Sequence, residues 1–205
     1  MEDEILKTIL CRKMDNYTIT DYNKDCKQGN KHRLANFIYE RFNERYIEPF
    51  ETMDPNKKNG FSIMAIACLM IEALENFWRG LKETTSRKAN KFFESFFSRC
   101  SCSNNELSTF QGLNFYKNIR CGILHQAETK GEWKIRRIGP LLDKKTKIIN
   151  ATKFLDYLED YLSWYQSELK KRDFKTDDIW RNFRKKMRFI KENCGISTIN
   201  NSTDC

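Results

Sequence analysis

Residues 61–78 read FSIMAIACLMIEALENFW, the most apolar stretch of a 205-residue chain. Nine apolar residues in a row, Ile63 to Ile71, precede Glu72. That run is well short of the roughly 20 apolar residues a bilayer-spanning helix needs. It reads as a buried central helix over about Phe61 to Leu81. Because it is hydrophobic nearly all round, other helices must cover it on several sides.

Those other helices can be traced outward from it. Upstream, Leu34, Phe37, Ile38, Phe42, Tyr46 and Ile47 recur at three- and four-residue steps, and Pro49 is expected to end them. TMDPNKKNG, 52–60, is a loop. Downstream, SRKANKFFESFFSR (86–99) forms a helix with Phe92, Phe93, Phe96 and Phe97 inward and Ser86 as its cap. STFQ at 108–111 has capping-box spacing and predicts a further long helix from Ser108 to His125, with Phe110, Leu113, Phe115, Tyr116, Ile119, Ile123 and Leu124 on its apolar side. After Gly131 the period shortens, and EWKIRRIGPLL and KTKIINA read as short strands joined around DKKT. ATKFLDYLEDYLSWYQSELKK (151–171) and TDDIWRNFRKKMRFIKEN (176–193) return to helix, with Phe154, Leu155, Leu158, Leu162 and Tyr165 inward on the first, and Ile179, Trp180, Phe183, Met187 and Ile190 on the second. The fold class is therefore mainly α: a helical bundle of about five to six helices with a small β-hairpin inserted after the helix that ends at His125. A polar N-terminal extension over 1–32, one helical domain over 33–194 and a flexible tail over 195–205 complete the expected organisation.

Composition narrows the functional classes. Eight Gly and three Pro are few for a turn-rich β fold. The opening MEDEILKTIL is acidic and lacks a long apolar segment, so the chain is read as cytoplasmic, without a secretory signal or membrane partner. Its eight cysteines are scattered, with one C-x-C in RCSCS and no C-x-x-C, which points to reduced thiols and to no metal or other cofactor. No phosphate-binding loop, dinucleotide glycine pattern, nucleophile elbow or H-E-x-x-H is present. The net charge of +9 is uneven: residues 1–60 carry 11 basic and 11 acidic side chains, whereas 170–191 carry ten and three. Such a patch attracts phosphates, and equally describes a solvated helix face. On the first reading Lys170, Lys171, Arg172, Arg181, Arg184, Lys185 and Arg188 are the RNA-binding candidates.

The chemistry-bearing stretch is RCGILH, 120–125. Of the two histidines, His32 lies in a polar segment without chemical neighbours and is expected to be exposed, whereas His125 follows Arg120 by five residues. Five residues correspond to about 500° on an α-helix, leaving the two side chains about 140° apart. They meet only if the helix loosens at Gly122, or across a twofold interface. Metal-independent RNA cleavage uses such groups: an imidazole titrates near neutrality as base or acid, and a guanidinium grips two phosphate oxygens. Glu72, unusual in so apolar a helix, is expected to pair with Arg120, structurally or as an orienting group. The alternative is that His125 caps its helix and Arg120 is a structural ion-pair partner.

This R-x4-H late in a helix, preceded by two core helices, resembles the signature of HEPN domains, small helical bundles that include many ribonucleases. The likeness runs over roughly 33–172. It implies a homodimeric, metal-independent endoribonuclease in a toxin–antitoxin or antiphage defence setting, with RNA as substrate and an antitoxin or defence protein as further partner. Arg120 would bind the scissile phosphate and His125 would be the acid/base. Active members carry a polar residue, often Asn or Asp, directly after the Arg. Here that residue is Cys121, with Asn118 two positions before the Arg as a supporting candidate beside Glu72. The other implication of the likeness is accordingly a non-catalytic helical binding or regulatory module.

Overall fold

A computed structural model describes residues 2–51, 54, 57–85 and 87–196. Along the chain run α1 (Glu2–Leu6), β1 (Ile9–Cys11), β2 (Tyr17–Thr18), α2 (Ile19–Gln28), α3 (Lys31–Phe42), α4 (Glu48–Glu51), α5 (Gly60–Arg79) and α6 (Ala89–Cys100). They are followed by α7 (Cys121–Gln126), β3 (Lys134–Arg136), β4 (Leu142–Asp143), β5 (Ile148–Asn150), α8 (Ala151–Lys171) and α9 (Asp178–Asn193). The protein is mainly helical, as its periodicity predicts. Two compact units arise, one from Met1–Arg45, Asn76–Glu83 and Ser163–Cys205 and the other from Tyr46–Glu75 and Thr84–Leu162.

Among the described residues α5 is the one helix with the length and composition of a membrane span, at a mean hydropathy of 1.5. Its packing is that of a core helix: Ile63, Met64, Ala67, Cys68, Met70, Ile71 and Leu74 are buried. Its two carboxylates, Glu72 and Glu75, are both ion-paired.

In the second unit, α6 turns Phe92, Phe93, Phe96 and Phe97 inward as predicted. Phe97 meets Phe110, Phe115 and Phe154 with ring centroids 5.0–6.4 Å apart, and Phe115 stacks on Phe154 at 5.4 Å. Ring pairs in such offset and edge-on geometries add to the free energy of burying the rings themselves. Through this aromatic cluster passes a buried ion pair. Glu75 is fully buried, and Arg99 of α6 meets it with two donors, Nη1 to Oε2 at 2.7 Å and Nη2 to Oε1 at 3.1 Å. Tyr161 Oη and Ser95 Oγ accept from the same guanidinium, at 3.1 and 3.3 Å. The predicted cap Ser86 lies outside the described residues; α6 begins behind Lys88, which makes no side-chain cap bond.

The strand region holds more than a hairpin. β4 and β5 are antiparallel around DKKT, where Asp143 accepts from the backbone amides of Lys145 and Thr146. The preceding EWKI segment supplies β3, which pairs parallel to β5, Lys134 opposite Ile148, so the order is β3-β5-β4. Parallel pairing needs a crossover, and here residues 137–147 provide it, including β4 itself.

The first unit centres on Trp180, fully buried, whose indole donates to the Leu169 carbonyl at 3.0 Å. Phe183 packs between Phe77 and Trp180, with centroids 5.7 and 5.2 Å away. The polar N-terminal residues fold as α1, β1, β2 and α2. Thr18 and Asp21 form a capping box that starts α2, and buried Asp25 accepts from Tyr17 Oη at 2.7 Å and pairs with Arg33 at 3.2 Å. Pro49 does not end the helix. A widened π turn, Asn43–Ile47, follows α3, and Pro49 sits in the first turn of α4. A proline lacks the amide for an i−4 bond and clashes with that carbonyl; the preceding π turn breaks the i−4 ladder where that bond would fall. Of the predicted tail, 197–205 lie outside the described residues.

Breaking the Glu75–Arg99 pair on one side strands a charge inside the aromatic core. Arg99→Met is expected to lower unfolding free energy by about 3–5 kcal/mol in urea titration. Glu75→Leu combined with Arg99→Met should recover much of it; an equal loss in both variants would show that the stranded charge is not the cause.

Candidate active site

The predicted helix from Ser108 to His125 is broken in two. Asn105, not Ser108, caps the first piece, accepting from the Leu107 amide at 2.9 Å, and Glu106–Phe110 is a 3-10 turn. Gly112 and Asn114 then adopt left-handed φ of 77° and 52° and reverse the chain. The coil restarts at Phe115, passes through a π turn, Tyr116–Arg120, and continues as α7. Phe115 and Ile119, each 1% exposed, anchor this turn in the core, while Tyr116, Arg120 and Cys121 are half-buried.

Glu72 of α5 receives Arg120 as predicted, with Nε donating to Oε1 at 2.7 Å. The guanidinium carbon lies 5.5 Å from the Tyr116 ring centroid. Burial pulls the Arg120 pKa down, but the Glu72 bond and charge outweigh it and hold the group above its ordinary value. The π turn closes i→i+5, with the Cys121 amide donating to the Tyr116 carbonyl. It aligns residues 116 and 121, so that burial, then the hydrogen bond to the Cys121 thiol, raises the Tyr116 phenol. Buried Cys68 is pushed up by burial and by Glu72, with Arg120 opposing.

His125 is exposed in the last turn of α7. The coil from Cys121 to Gln126 is regular α, so the wide angular separation from Arg120 persists. Among the described residues no hydrogen bond or ion pair joins the two side chains. Gly122 does not loosen the helix. A β-carbon there would fall 2.4 Å from the Glu128 carbonyl oxygen and 3.0 Å from Thr129 Cα, so the returning chain packs directly on this glycine. Ala127, left-handed at φ 54°, closes the helix with its amide on the Gly122 and Ile123 carbonyls. Asn118 braces the same return: its side chain donates to the Leu113 carbonyl at 3.3 Å and its carbonyl accepts from the Lys130 amide at 2.8 Å. It has no hydrogen bond to Arg120 among the described residues. His32 is exposed on α3, as expected.

The basic candidates near the C-terminus are mostly engaged. Lys171 and Arg172 pair with Glu168 at 3.3 and 3.0 Å, and Arg172 also reaches Asp177 at 3.5 Å. Arg181 pairs with Asp178 at 2.6 Å. Arg184 donates to the Phe174 carbonyl at 2.6 Å and lies over that ring. Lys170 is half-buried; Lys185 and Arg188 are exposed. The charge run is real, but much of it closes the ends of α8 and α9.

Seven described cysteines are free thiols, and among the described residues no three His, Cys, Asp or Glu side chains converge as metal ligands would. Two features were missed: Arg99 as the partner of Glu75, a carboxylate as unusual in this apolar helix as Glu72 but answered from a separate helix, and a cluster of Lys57, Lys58 and Arg136 around an apolar cleft. No protein-family model, curated protein or solved structure matches this chain.

Because backbone atoms, not a pliable side chain, face Gly122, Gly122→Ala is expected to cost about 1–3 kcal/mol in chemical denaturation. A wild-type midpoint would mean that the return chain moves aside without strain.

Proposed function

We propose that this chain is an HEPN-like, metal-independent endoribonuclease of a toxin–antitoxin or antiphage system, with a site completed by two copies. The observation that carries this reading is the way Glu72 holds Arg120. It engages Nε alone, and among the described residues neither Nη has a hydrogen-bond partner. A guanidinium so fixed presents its outer edge to two phosphate oxygens. His125 stands exposed on α7, which continues from the π turn that carries Arg120, and is turned away from that edge, so a second copy is needed to bring an imidazole to the phosphate. Leu69 of α5 and Leu124 of α7, 42% and 39% exposed, lie on either side of the Glu72–Arg120 bond in sequence and offer apolar surface for that contact.

In the cleft so formed, imidazole takes the proton of the RNA 2′-OH. The 2′ oxygen attacks phosphorus, the P–O5′ bond breaks, and the leaving oxygen is protonated by an acid. Arg120 stabilises the charge gathered on the phosphate oxygens. The products are a 2′,3′-cyclic phosphate and a 5′-hydroxyl.

One feature favours a second reading, a non-catalytic helical module. Cys121, half-buried and without a charge of its own, occupies the position after the Arg where a polar residue is expected.

The reading is checked by incubating the purified chain with RNA in EDTA and identifying the ends. Cyclic phosphate ends should form, and His125→Ala and Arg120→Ala should each slow cutting by about a hundredfold or more. Undiminished cutting by His125→Ala sinks the assignment; intact RNA with the wild-type chain favours the non-catalytic module.

A further inference from the structure

Exposed positive charge without an acidic partner among the described residues also lies away from the conspicuous C-terminal run. In the second unit a cleft of about 640 Å³ opens between the start of α5 and β3, lined chiefly by Lys57, Lys58, Phe61, Ile135, Arg136 and Ile138. Lys57, Lys58 and Arg136 are exposed, and among the described residues none of their side chains has an acidic partner. Among the described residues no acidic side chain lines the cleft. Phe61 and Ile135 are half-exposed, and Ile138 is 72% exposed, the most open large apolar side chain of the described chain.

The cleft is built rather than incidental. Arg137 donates from Nε to Thr152 Oγ1 at 3.0 Å and from Nη1 to the Asp54 carbonyl and Asn59 Oδ1 at 2.7 and 2.8 Å. It thereby ties the end of β3 to the start of α5 and of α8, and serves as a strut. Gly60 lets the two walls meet, since a β-carbon there would stand 3.1 Å from Ile135 Cγ2. Among the described residues β5 is the one strand paired with β3.

We propose that this cleft binds a single-stranded RNA segment, with phosphates on Lys57, Lys58 and Arg136 and a base against Phe61, Ile135 and Ile138. Its volume suits a ligand the size of a nucleotide, and an aromatic ring set among cations is how sequence-tolerant single-strand binders hold bases and backbone together. A duplex would keep its bases stacked away from Phe61. An acidic peptide or an anionic bilayer would use the same charges, but neither needs an aromatic face within a concavity. The proposal shares with the preceding reading only RNA as the ligand class, and cleavage at Arg120 and His125 is not required for it.

The test is fluorescence anisotropy of the full chain with labelled 2′-O-methyl oligoadenylate, which lacks the hydroxyl that cleavage needs. Lys58→Glu with Arg136→Glu, both on exposed positions, should weaken binding by at least about tenfold and flatten the slope of log affinity against log salt by about 1.4. Phe61→Leu should weaken it about fivefold or more and leave the slope unchanged. The same double reversal at Lys185 and Arg188 should cost less than the reversal in the cleft. Cleft variants that bind like wild type, a larger loss from the α9 reversal, or tighter binding to phosphatidylserine vesicles or polyglutamate than to the oligomer each overturn the proposal. Retained oligomer binding by a chain that cuts no RNA supports it and removes only the catalytic reading.

Discussion

The second unit depends on a charge that has no business among phenylalanines unless it is answered there. Glu75 is fully buried on α5, and Arg99 answers it with two parallel hydrogen bonds. Ionised groups in so dry a setting are tolerated only when paired and fully hydrogen-bonded, and Tyr161 and Ser95 take up further donors of the guanidinium. The pair ties α6 to α5 at one register, because shifting either helix would part the two hydrogen bonds and strand both charges. Three residues earlier on α5, Glu72 does the same for Arg120 at a wetter position. One helix therefore positions two others by charge while its leucines, isoleucines and methionines supply the burial.

That division explains what could be read from sequence. The Phe92, Phe93, Phe96 and Phe97 face, the inward stripe of α8 and Ile179, Trp180, Phe183 and Met187 of α9 follow from periodicity, because burial imposes it directly, whereas Ile190, also expected inward, is only half-buried. Glu72 was legible as the partner of Arg120, since a carboxylate inside an apolar helix demands a cation. The π turns at 43–47 and 116–120 were not, because a wide turn differs from an α turn by one residue and leaves the apolar spacing nearly intact. The capping box at Ser108 failed for a related reason. Ser-x-x-Gln satisfies a helix start locally, yet Gly112 and Asn114 adopt left-handed conformations just after it, and the chain reverses before a helix can propagate.

The candidate site shows the same limit from the side of function. R-x4-H is a statement about spacing along a helix, whereas chemistry needs proximity in space. Within one chain the spacing puts Arg120 against Glu72 and Tyr116 and leaves His125 on another side. The basic run at 170–191 misleads in the opposite direction. Its charges were countable, but a net count does not show that Lys171 and Arg172 are held by Glu168, just outside the run, Arg181 by Asp178 and Arg184 by the Phe174 carbonyl. The open cations at 57, 58 and 136 are far apart in sequence and come together only through the parallel pairing of β3 and the strut formed by Arg137.

Gly60 gives that arrangement an evolutionary handle. It contributes only hydrogen where Ile135 comes closest, so an alanine at this position would displace the wall by a few tenths of an ångström. The gape of the cleft is thus a heritable dimension adjustable by a single methyl group, separate from the charges on its rim. Descendants of this chain can retune what fits between the walls without first surrendering what draws a ligand to them.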